Sequence, residues 1–425
     1  MSDQEFTRRK FLNATAKGGI VLGAGAVAFS GATWLPRLLN KAGKEAVAAD
    51  RLGELARSSP VAKFWISTES QDVSCSDCHQ PELSDCHPDV IPTDMKSHKH
   101  AETIIQCCLC AQVCLIKEGK RGICRTRMNV NGELRSLVYG RPVSIHVDPI
   151  EKKPLFHFLP GSNAFSLATA GCPLHCKFCQ NWELSQMNPE DYDSPYYEPS
   201  SIVEAAESRN APVIAFTYNE PTVFTEYLLD IARLGKNEGV RSVLISCGFM
   251  REEPLKEMCD SLDAIKIDLK GFSEDFYEKV CSAELKPILR SIKQIADSGT
   301  HLEIVNLVVP SLNDSDKMLR ELAKWIVGEV GPDVPVHYTR FHPDYQLLNL
   351  SPTPVATLER ARQIALDEGI HYPFVGNVPG HRGNSTYCSK CGKAVIERTG
   401  FFVTGMHMRD GKCEFCEEPI AGVWS

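Results

Sequence analysis

The sequence predicts an α/β protein built around a partial to nearly full (β/α) barrel. From about residue 163, short apolar runs of strand length recur at intervals long enough for an intervening helix. Strands that are almost continuously apolar and alternate with helices favour a parallel sheet covered by helices. The seven runs are Phe165–Ala170, Val213–Thr217, Val243–Ser246, Ala264–Asp268, Leu302–Val309, Val336–Phe341 and Tyr372–Val375.

One of the intervening helices is explicit in the pattern. Apolar residues recur at helical spacing from Leu285 through Ile288, Ile292 and Ile295, and Gly299 marks the end of the helix. In barrels of this kind the chemistry lies at the C-terminal ends of the strands. The polar residues that follow each apolar run are therefore the candidates for function.

Length and composition divide the chain into several parts. Its 425 residues suffice for two or three domains with a sizeable core. We predict a signal-like segment at 1–48 and a small Cys-rich domain at 49–162. The barrel would occupy 163–379, and a zinc ribbon 380–425.

Charge and cysteine usage restrict the function classes. The net charge is −8 and no basic stripe is visible, so nucleic acid is not an expected partner. Most of the 18 cysteines cluster in C-x2-C pairs, which indicates metal binding rather than a disulfide framework. Cys247, Cys259 and Cys281 stand alone and are expected to be small buried apolar residues.

The first strand leads directly into a cysteine loop. Cys172, Cys176 and Cys179 have the spacing C-x3-C-x2-C, and three thiolates can hold three irons of a 4Fe–4S cluster. The fourth iron then keeps an open position, where a molecule with an amine and a carboxylate can chelate. Phe178 would lie against that ligand. The alternatives are a structural zinc loop or three free thiols.

This loop, with Phe178 and the following Gln180-Asn181-Trp182, resembles the radical S-adenosylmethionine (SAM) enzymes. The resemblance is closest to the pyruvate formate-lyase activating enzymes, and more narrowly to the radical component of the AmmeMemoRadiSam system. It extends from about Cys107 to the C-terminus and includes the blocks Asp148–Leu155 and Tyr338–Pro343.

The resemblance implies an enzyme that cleaves SAM reductively and generates a 5′-deoxyadenosyl radical for hydrogen abstraction. It further implies a flavodoxin or ferredoxin type of electron donor and a protein substrate, such as a glycyl radical enzyme. The rival interpretation is a metal-rich iron–sulfur and zinc protein for binding or electron transfer that does not cleave SAM.

The resemblance also assigns polar strand ends to SAM. The run Thr217–Pro221 occupies the place of the family's Gly-Gly-Glu-Pro motif, so Glu220 would take the methionine amino group. Tyr218 and Asn219 stand where that motif has glycines. The backbone contacts to the methionine amino group are therefore open, and the rival interpretation stays open with them. Asn219 is nonetheless a cofactor-binding candidate.

Further strand ends complete this set of candidates. Asp268 and Lys270 resemble the Asp-x-Lys of activating enzymes. Lys270 would pair with the ligand carboxylate as a point charge, and Asp268 would position a cation or the ribose. Asn306 and His342 are candidates for the carboxylate, the ribose or the substrate.

Two other cysteine groups have metal-ligand spacing. Four soft ligands close together favour zinc or a second iron–sulfur cluster, and these are Cys107, Cys110, Cys114 and Cys124. Near the C-terminus, two C-x2-C knuckles predict a zinc ribbon, formed by Cys388, Cys391, Cys413 and Cys416. Such a ribbon is expected to steer a protein partner or to cover the barrel. Between these groups, the run Asn129–Leu134 predicts a hairpin turn, followed by a strand at Leu137–Tyr139.

The N-terminal segment carries a targeting pattern. Thr7–Asn13 contains the arginine pair Arg8-Arg9, and a Gly/Ala-rich run follows, which together predict export by the twin-arginine route. The alternative location is the cytoplasm, because SAM and low-potential reductants are cytosolic supplies.

An insert before the first metal group has a second signature. Cys75-Ser76-Asp77-Cys78-His79 is a C-x2-C-H, which in an exported protein attaches haem c. The alternatives are a zinc loop and a solvated insert without metal. The candidate second axial ligands of a haem are Met95, His87, His98 and His100.

Overall fold

The structure, a computed structural model, describes residues 41–67 and 104–425. The twin-arginine segment and the insert with Cys75-Cys78-His79, including its candidate axial ligands, lie outside these residues. The described residues from 46 onward belong to one compact unit.

An eight-stranded sheet forms the centre, in the order β13-β12-β11-β10-β9-β8-β7-β6. Strands β7 to β13 are parallel, and β6 pairs antiparallel with β7 at one edge. The predicted α/β fold with a mostly parallel sheet is confirmed, and each of the seven apolar runs forms a strand. The strands are β6 (Ser144–Pro149), β7 (Asn163–Ala168), β8 (Val213–Phe216), β9 (Arg241–Ser246), β10 (Ala264–Asp268), β11 (His301–Val308), β12 (Val336–Arg340) and β13 (Pro373–Gly376).

Helices connect the parallel strands and bury their apolar faces against the sheet. The helix predicted from Leu285 buries Ile288, Ile292 and Ile295 and is capped by Gly299 at φ 80°, a conformation that glycine adopts without strain. In the part of the chain that the structure describes, the helices of ten or more residues are α1 (Lys41–Ser58), α2 (Pro199–Ser208), α3 (Thr225–Asn237), α4 (Glu252–Ser261), α5 (Leu285–Ser298), α6 (Asp316–Glu329) and α7 (Val355–Asp367).

A small layer of short strands precedes the sheet. β1 (Trp65–Ser67), β2 (Ile104–Cys107) and β3 (Leu115–Lys117) form one antiparallel sheet, and β4 (Arg127–Val130) and β5 (Glu133–Ser136) form a hairpin. Its turn has Asn131 at φ 53° and Gly132 at φ 80°, as a two-residue hairpin turn requires. The strand predicted at Leu137–Tyr139 is wrong. The hairpin turn uses only two residues, so the second strand already begins at Glu133. It ends at Ser136, because the chain turns again directly after that residue.

The C-terminal residues form a module of short strands: β14 (Thr386–Tyr387), β15 (Ala394–Thr399), β16 (Phe402–Met406), β17 (Met408–Arg409) and β18 (Lys412–Cys413). Arg398 anchors it, since its guanidinium donates to the Phe156 carbonyl at 2.6 Å and faces Glu151 at 3.5 Å, all three buried. The His157 backbone in turn donates to Glu303, near the start of β11. The module therefore packs at the N-terminal ends of the parallel strands, at the opposite end of the sheet from the cysteine loop.

Within the described part of the chain, every helix is too short or too polar to cross a membrane.

Candidate active site

The cysteine loop begins at Cys172, four residues beyond the end of β7, and is held in place by main-chain hydrogen bonds. His175 donates to the carbonyl of Cys281 at 3.0 Å and Lys177 to that of Val280 at 2.9 Å. Gly171 precedes the loop at φ 88°, and a Cβ there would lie 2.4 Å from the carbonyl oxygen of Cys124. Only glycine allows this approach, so the loop is packed directly against the Cys107–Cys124 segment.

The three loop cysteines share one partly enclosed region. Cys176 is buried and Cys172 and Cys179 are half-buried. The Cys281 thiol is a hydrogen-bond partner of Cys176, and this bond, assisted by the Lys270 charge, outweighs burial and lowers the pKa of Cys176. Burial raises the pKa of Cys172 and Cys179. The region thus offers three soft ligands with a cation beside one of them.

Lys270 belongs to a chain of charges at the end of β10. The carboxylate of Asp268 accepts hydrogen bonds from Lys266 on one oxygen and from Lys270, at 3.3 Å, on the other. Burial alone would lower the pKa of Lys270, but Asp268 and the nearby cysteine sulfurs more than offset it and the pKa lies well above its usual value. Lys270 is therefore a permanent cation, which is what a carboxylate ligand requires.

Phe178 forms an apolar wall beside this cation. Its ring is buried, lies 5.8 Å from the Lys270 nitrogen and stacks on Phe276 at 6.3 Å between centroids. The aromatic residue of the cysteine loop thus separates the lysine and the thiols from the core behind them.

Among the candidates, the Glu220 carboxylate accepts several hydrogen bonds from within the protein. One carboxylate oxygen accepts from the hydroxyls of Thr222 (2.6 Å) and Ser246 (2.7 Å), and the other accepts from the backbone N–H of Cys247 at 2.8 Å. The side chain is 3% exposed. Glu220 therefore fixes the end of β8 to the end of β9, and its remaining acceptor capacity is small.

Asn219 and Asn306 have free acceptors instead. The Asn219 amide donates to the Gly171 carbonyl and that of Asn306 to the Leu269 carbonyl, both at 2.8 Å. In both residues the amide oxygen is buried and has no hydrogen-bond partner among the described residues. An unpaired buried acceptor is costly, so two at the same edge of the sheet indicate a ligand with N–H or O–H donors.

His342 lies just beyond β12 and is exposed. Burial, with Arg340 adding repulsion, lowers its pKa. No contact of its side chain links it to the other candidates in the described residues, so it belongs to the rim of the site rather than to its interior.

Several residues at this edge were not predicted from the sequence to be part of the site. Cys281 contacts Cys176, although it was expected to be a passive apolar residue, and Ser246 fixes Glu220. Tyr218, at φ 73°, donates to Asp148 at 2.5 Å, which also accepts from Lys153. Only the family-like block Asp148–Leu155 gave a signal for this contact. Residues that meet from different strands are far apart in the sequence and form no motif with a fixed spacing.

The Cys107–Cys124 group lines a narrow cavity with all four of its sulfur-bearing side chains. Cys107, Cys110 and Cys124 are buried and Cys114 is half-buried. Pro173 of the cysteine loop also lines this cavity.

The C-terminal cysteines are a compact metal-binding group. The ligand atoms of Cys388, Cys391, Cys413 and Cys416 all lie within 4.8 Å of one another. Two sulfur pairs are 3.6 and 3.8 Å apart. A tetrahedron with Zn–S bonds of about 2.3 Å separates its sulfurs by about 3.8 Å, so the group has the dimensions of a four-thiolate site.

Comparisons with known proteins support the same picture. The profile of the Radical SAM superfamily matches residues 166–326. An uncharacterised protein of Methanocaldococcus jannaschii is 43% identical over 320 residues, which are 74% of this chain and 95% of the relative. The pyruvate formate-lyase-activating enzyme of Clostridium pasteurianum is 23% identical over 168 residues, 37% of this chain and 66% of that enzyme.

Among solved structures, a domain of the pyruvate-formate lyase-activating enzyme from Bacteroides vulgatus is similar, with a TM-score of 0.35 and 18% identity. The match covers 38% of this chain and 98% of that domain.

Proposed function

We propose that this chain, which belongs to the radical SAM superfamily, cleaves SAM reductively to abstract hydrogen from a protein substrate. Its distant similarity to the pyruvate formate-lyase activating enzymes supports this type of reaction. The observation that carries the proposal is the edge of the sheet where the three loop thiols, the Lys270 cation and two unpaired amide oxygens come together.

The residues at this edge fit both groups that the superfamily implies. Cys172, Cys176 and Cys179 are thiols on one loop and would hold a 4Fe–4S cluster. When bound, that cluster supplies one electron to the SAM sulfonium, which yields methionine and the 5′-deoxyadenosyl radical. The methionine part of SAM carries a carboxylate, which Lys270 would pair with, and an ammonium group that donates hydrogen bonds.

Asn219 and Asn306 extend this fit. Their unpaired amide oxygens would accept from the ammonium group or from the ribose hydroxyls. Glu220 would act mainly by holding these strand ends in register, since Thr222, Ser246 and Cys247 already engage its carboxylate. The buried ring of Phe178 would exclude water from the ligand's apolar side.

We take the substrate to be a protein, as the activating-enzyme branch suggests. Trp182 follows the cysteine loop, is 36% exposed and stacks on Tyr345 at 5.3 Å. A stacked aromatic pair with one exposed ring at the rim suits contact with a polypeptide better than with a small molecule enclosed in the site.

The reaction is tested without knowledge of the substrate. The iron-loaded full chain, given SAM and dithionite under anaerobic conditions, should release 5′-deoxyadenosine and methionine in equal amounts, slowly and above a protein-free control. The Cys172→Ala/Cys176→Ala/Cys179→Ala variant should release neither. Absence of 5′-deoxyadenosine from a fully loaded wild-type chain would favour the binding or electron-transfer protein instead.

We further propose that the metal of the C-terminal group is zinc. Its four thiols have the spacing of a tetrahedral four-thiolate zinc site, with two sulfur pairs 3.6 and 3.8 Å apart. Cys413→Ser should lose about one zinc per chain and open only the C-terminal module to protease. An unchanged zinc content would contradict this assignment.

A further inference from the structure

The Cys107–Cys124 group differs from the C-terminal group in how far apart its sulfurs lie. In residues 41–67 and 104–425, the C-terminal four cysteines are the one group whose ligand atoms all lie within 4.8 Å of one another. Cys107, Cys110, Cys114 and Cys124 line a single cavity, but their sulfurs do not all lie within 4.8 Å of one another. Cys172, Cys176 and Cys179 are also spaced more widely than a single-ion site.

This spacing discriminates between metal centres. One zinc ion draws four thiolates to about 3.8 Å from one another. In a 4Fe–4S cluster each thiolate binds a different iron, so the thiolates stand at the outer corners of a larger body. Four cysteines that surround a cavity, rather than converging on a single ion position, match the cluster.

A buried cation without a full set of partners supports a bound anionic centre. Arg127 lines the same cavity and is 0% exposed. Its terminal nitrogen donates to both oxygens of Glu226, at 2.9 and 2.7 Å, whereas Nε has no hydrogen-bond partner in the described residues. A four-thiolate metal centre carries negative charge, which offers this N–H group an acceptor.

The walls of the cavity connect it to the cysteine loop. Besides Pro173, the cavity is lined by Thr222 and Val223, which follow Glu220 at the end of β8. The Gln112 side chain, also on the wall, donates to the Pro173 carbonyl at 3.0 Å. The site is therefore built between the small N-terminal layer and the barrel, and it shares its wall with the candidate active site.

We infer that Cys107, Cys110, Cys114 and Cys124 bind a second, fully cysteine-ligated 4Fe–4S cluster beside the active site. Four protein ligands leave no iron open, so this centre would not bind SAM. The inference concerns the metal content alone and holds whether or not the chain cleaves SAM.

The test is anaerobic iron, sulfide and zinc analysis of the full chain with Mössbauer spectroscopy. The Cys172→Ala/Cys176→Ala/Cys179→Ala variant leaves the proposed site untouched and should keep about four irons and four sulfides of the wild type's eight, in a cubane spectrum. Retention of zinc alone, at two ions per chain, would overturn the inference.

A second variant removes the site itself. Cys110→Ala/Cys114→Ala should lose about half of the iron. Cys108→Ser is the matched control, because Cys108 lies between two proposed ligands in sequence but is not among the residues that line the cavity. It should keep the full iron content. Equal iron in the double variant and the control would contradict the assignment, and if the double variant does not fold, the loop variant still decides.

Discussion

At the scale of single residues, the candidate site separates into side chains that are engaged and side chains that are free to bind. Glu220 was expected to take the ligand amine, and the structure shows three residues already bonded to it. Asn219 and Asn306 keep one acceptor each. Residue types and strand ends were predictable from the sequence, whereas this division was not, because it depends on partners that are distant in the chain.

Lys270 allows the sharpest residue-level prediction. Lys270→Met keeps the side-chain stem beside Phe178 but removes the cation. A hydrogen bond to a charged group contributes about 1.5–3 kcal/mol, so SAM affinity should fall about 10- to 150-fold while the iron content stays constant. Equilibrium dialysis with labelled SAM measures this change.

Lys177→Met is the matched control, since Lys177 lies on the cysteine loop but is exposed. An affinity loss of the same size in both variants would mean that only the general charge matters, and that Lys270 does not hold the carboxylate.

Gly171 carries a prediction about packing. Gly171→Ala combines a positive φ with a 2.4 Å contact to the Cys124 carbonyl, whereas Gly239, at φ 76°, has nothing within 4 Å. Gly239→Ala should therefore lose only about 1–2 kcal/mol from its backbone conformation, and Gly171→Ala clearly more. Thermal unfolding of both variants measures the difference, and equal losses would mean that the two cysteine segments do not press on each other.

At the scale of elements, the parallel strands were predictable because each is an apolar run buried on both faces. The antiparallel strand β6 was not predicted, since Ser144–Pro149 is neither a continuous apolar run nor an alternating one. Two neighbouring residues of β6 are exposed and Asp148 is buried, so its pattern alone does not separate it from a loop. The docking of the C-terminal module was not predictable either. It depends on Arg398 and His157, whose partners lie more than 200 residues away.

His157 makes this docking sensitive to pH. Its Nδ1–H donates to the Ala421 carbonyl at 2.7 Å, and Nε2 faces the Thr386 hydroxyl at 3.3 Å. Both bonds suit the neutral ring. Burial lowers the pKa of His157 to about 3, against the opposing attraction of Glu303, while Arg398 and His301 add to the lowering.

Between pH 6.5 and 3, the unfolded chain therefore binds a proton at His157 that the folded chain does not, so stability falls as the pH falls through this window. Glu303 contributes in the same direction only below its unfolded pKa, near pH 4.5, because its folded pKa is depressed. Stability should thus be lower at pH 5 than at pH 7, and His157→Gln should reduce this difference.

Urea unfolding at the two pH values measures the effect. His371→Gln, at an exposed position, is the control and should keep the wild-type difference. An identical pH response in His157→Gln and wild type would show that His157 does not carry the pH dependence.

At the scale of the whole molecule, the cysteine groups lie at two different ends of the barrel. The C-terminal cysteine module packs at the end where the strands begin, and the cysteine loop and the Cys107–Cys124 group lie at the end where they finish. Of the two roles expected for the ribbon, the position supports covering the barrel.

The location of the protein is a separate proposal. We propose that the arginine pair Arg8-Arg9 directs export by the twin-arginine route. Arg8→Lys/Arg9→Lys should then retain the chain in the cytoplasm, because that route reads the pair and not only its charge. Cell fractionation with antibody detection measures this. An unchanged distribution of the variant would favour the cytoplasmic alternative.

We propose that one edge of the sheet binds SAM by its methionine group at a cluster held by Cys172, Cys176 and Cys179. Electron–nuclear double resonance on the reduced wild-type chain with SAM labelled with ¹⁷O in the carboxylate tests this directly. A coupling between the label and the cluster, absent from the three-cysteine variant, is the predicted result. Bound SAM without any such coupling would show that the methionine group does not bind at this cluster.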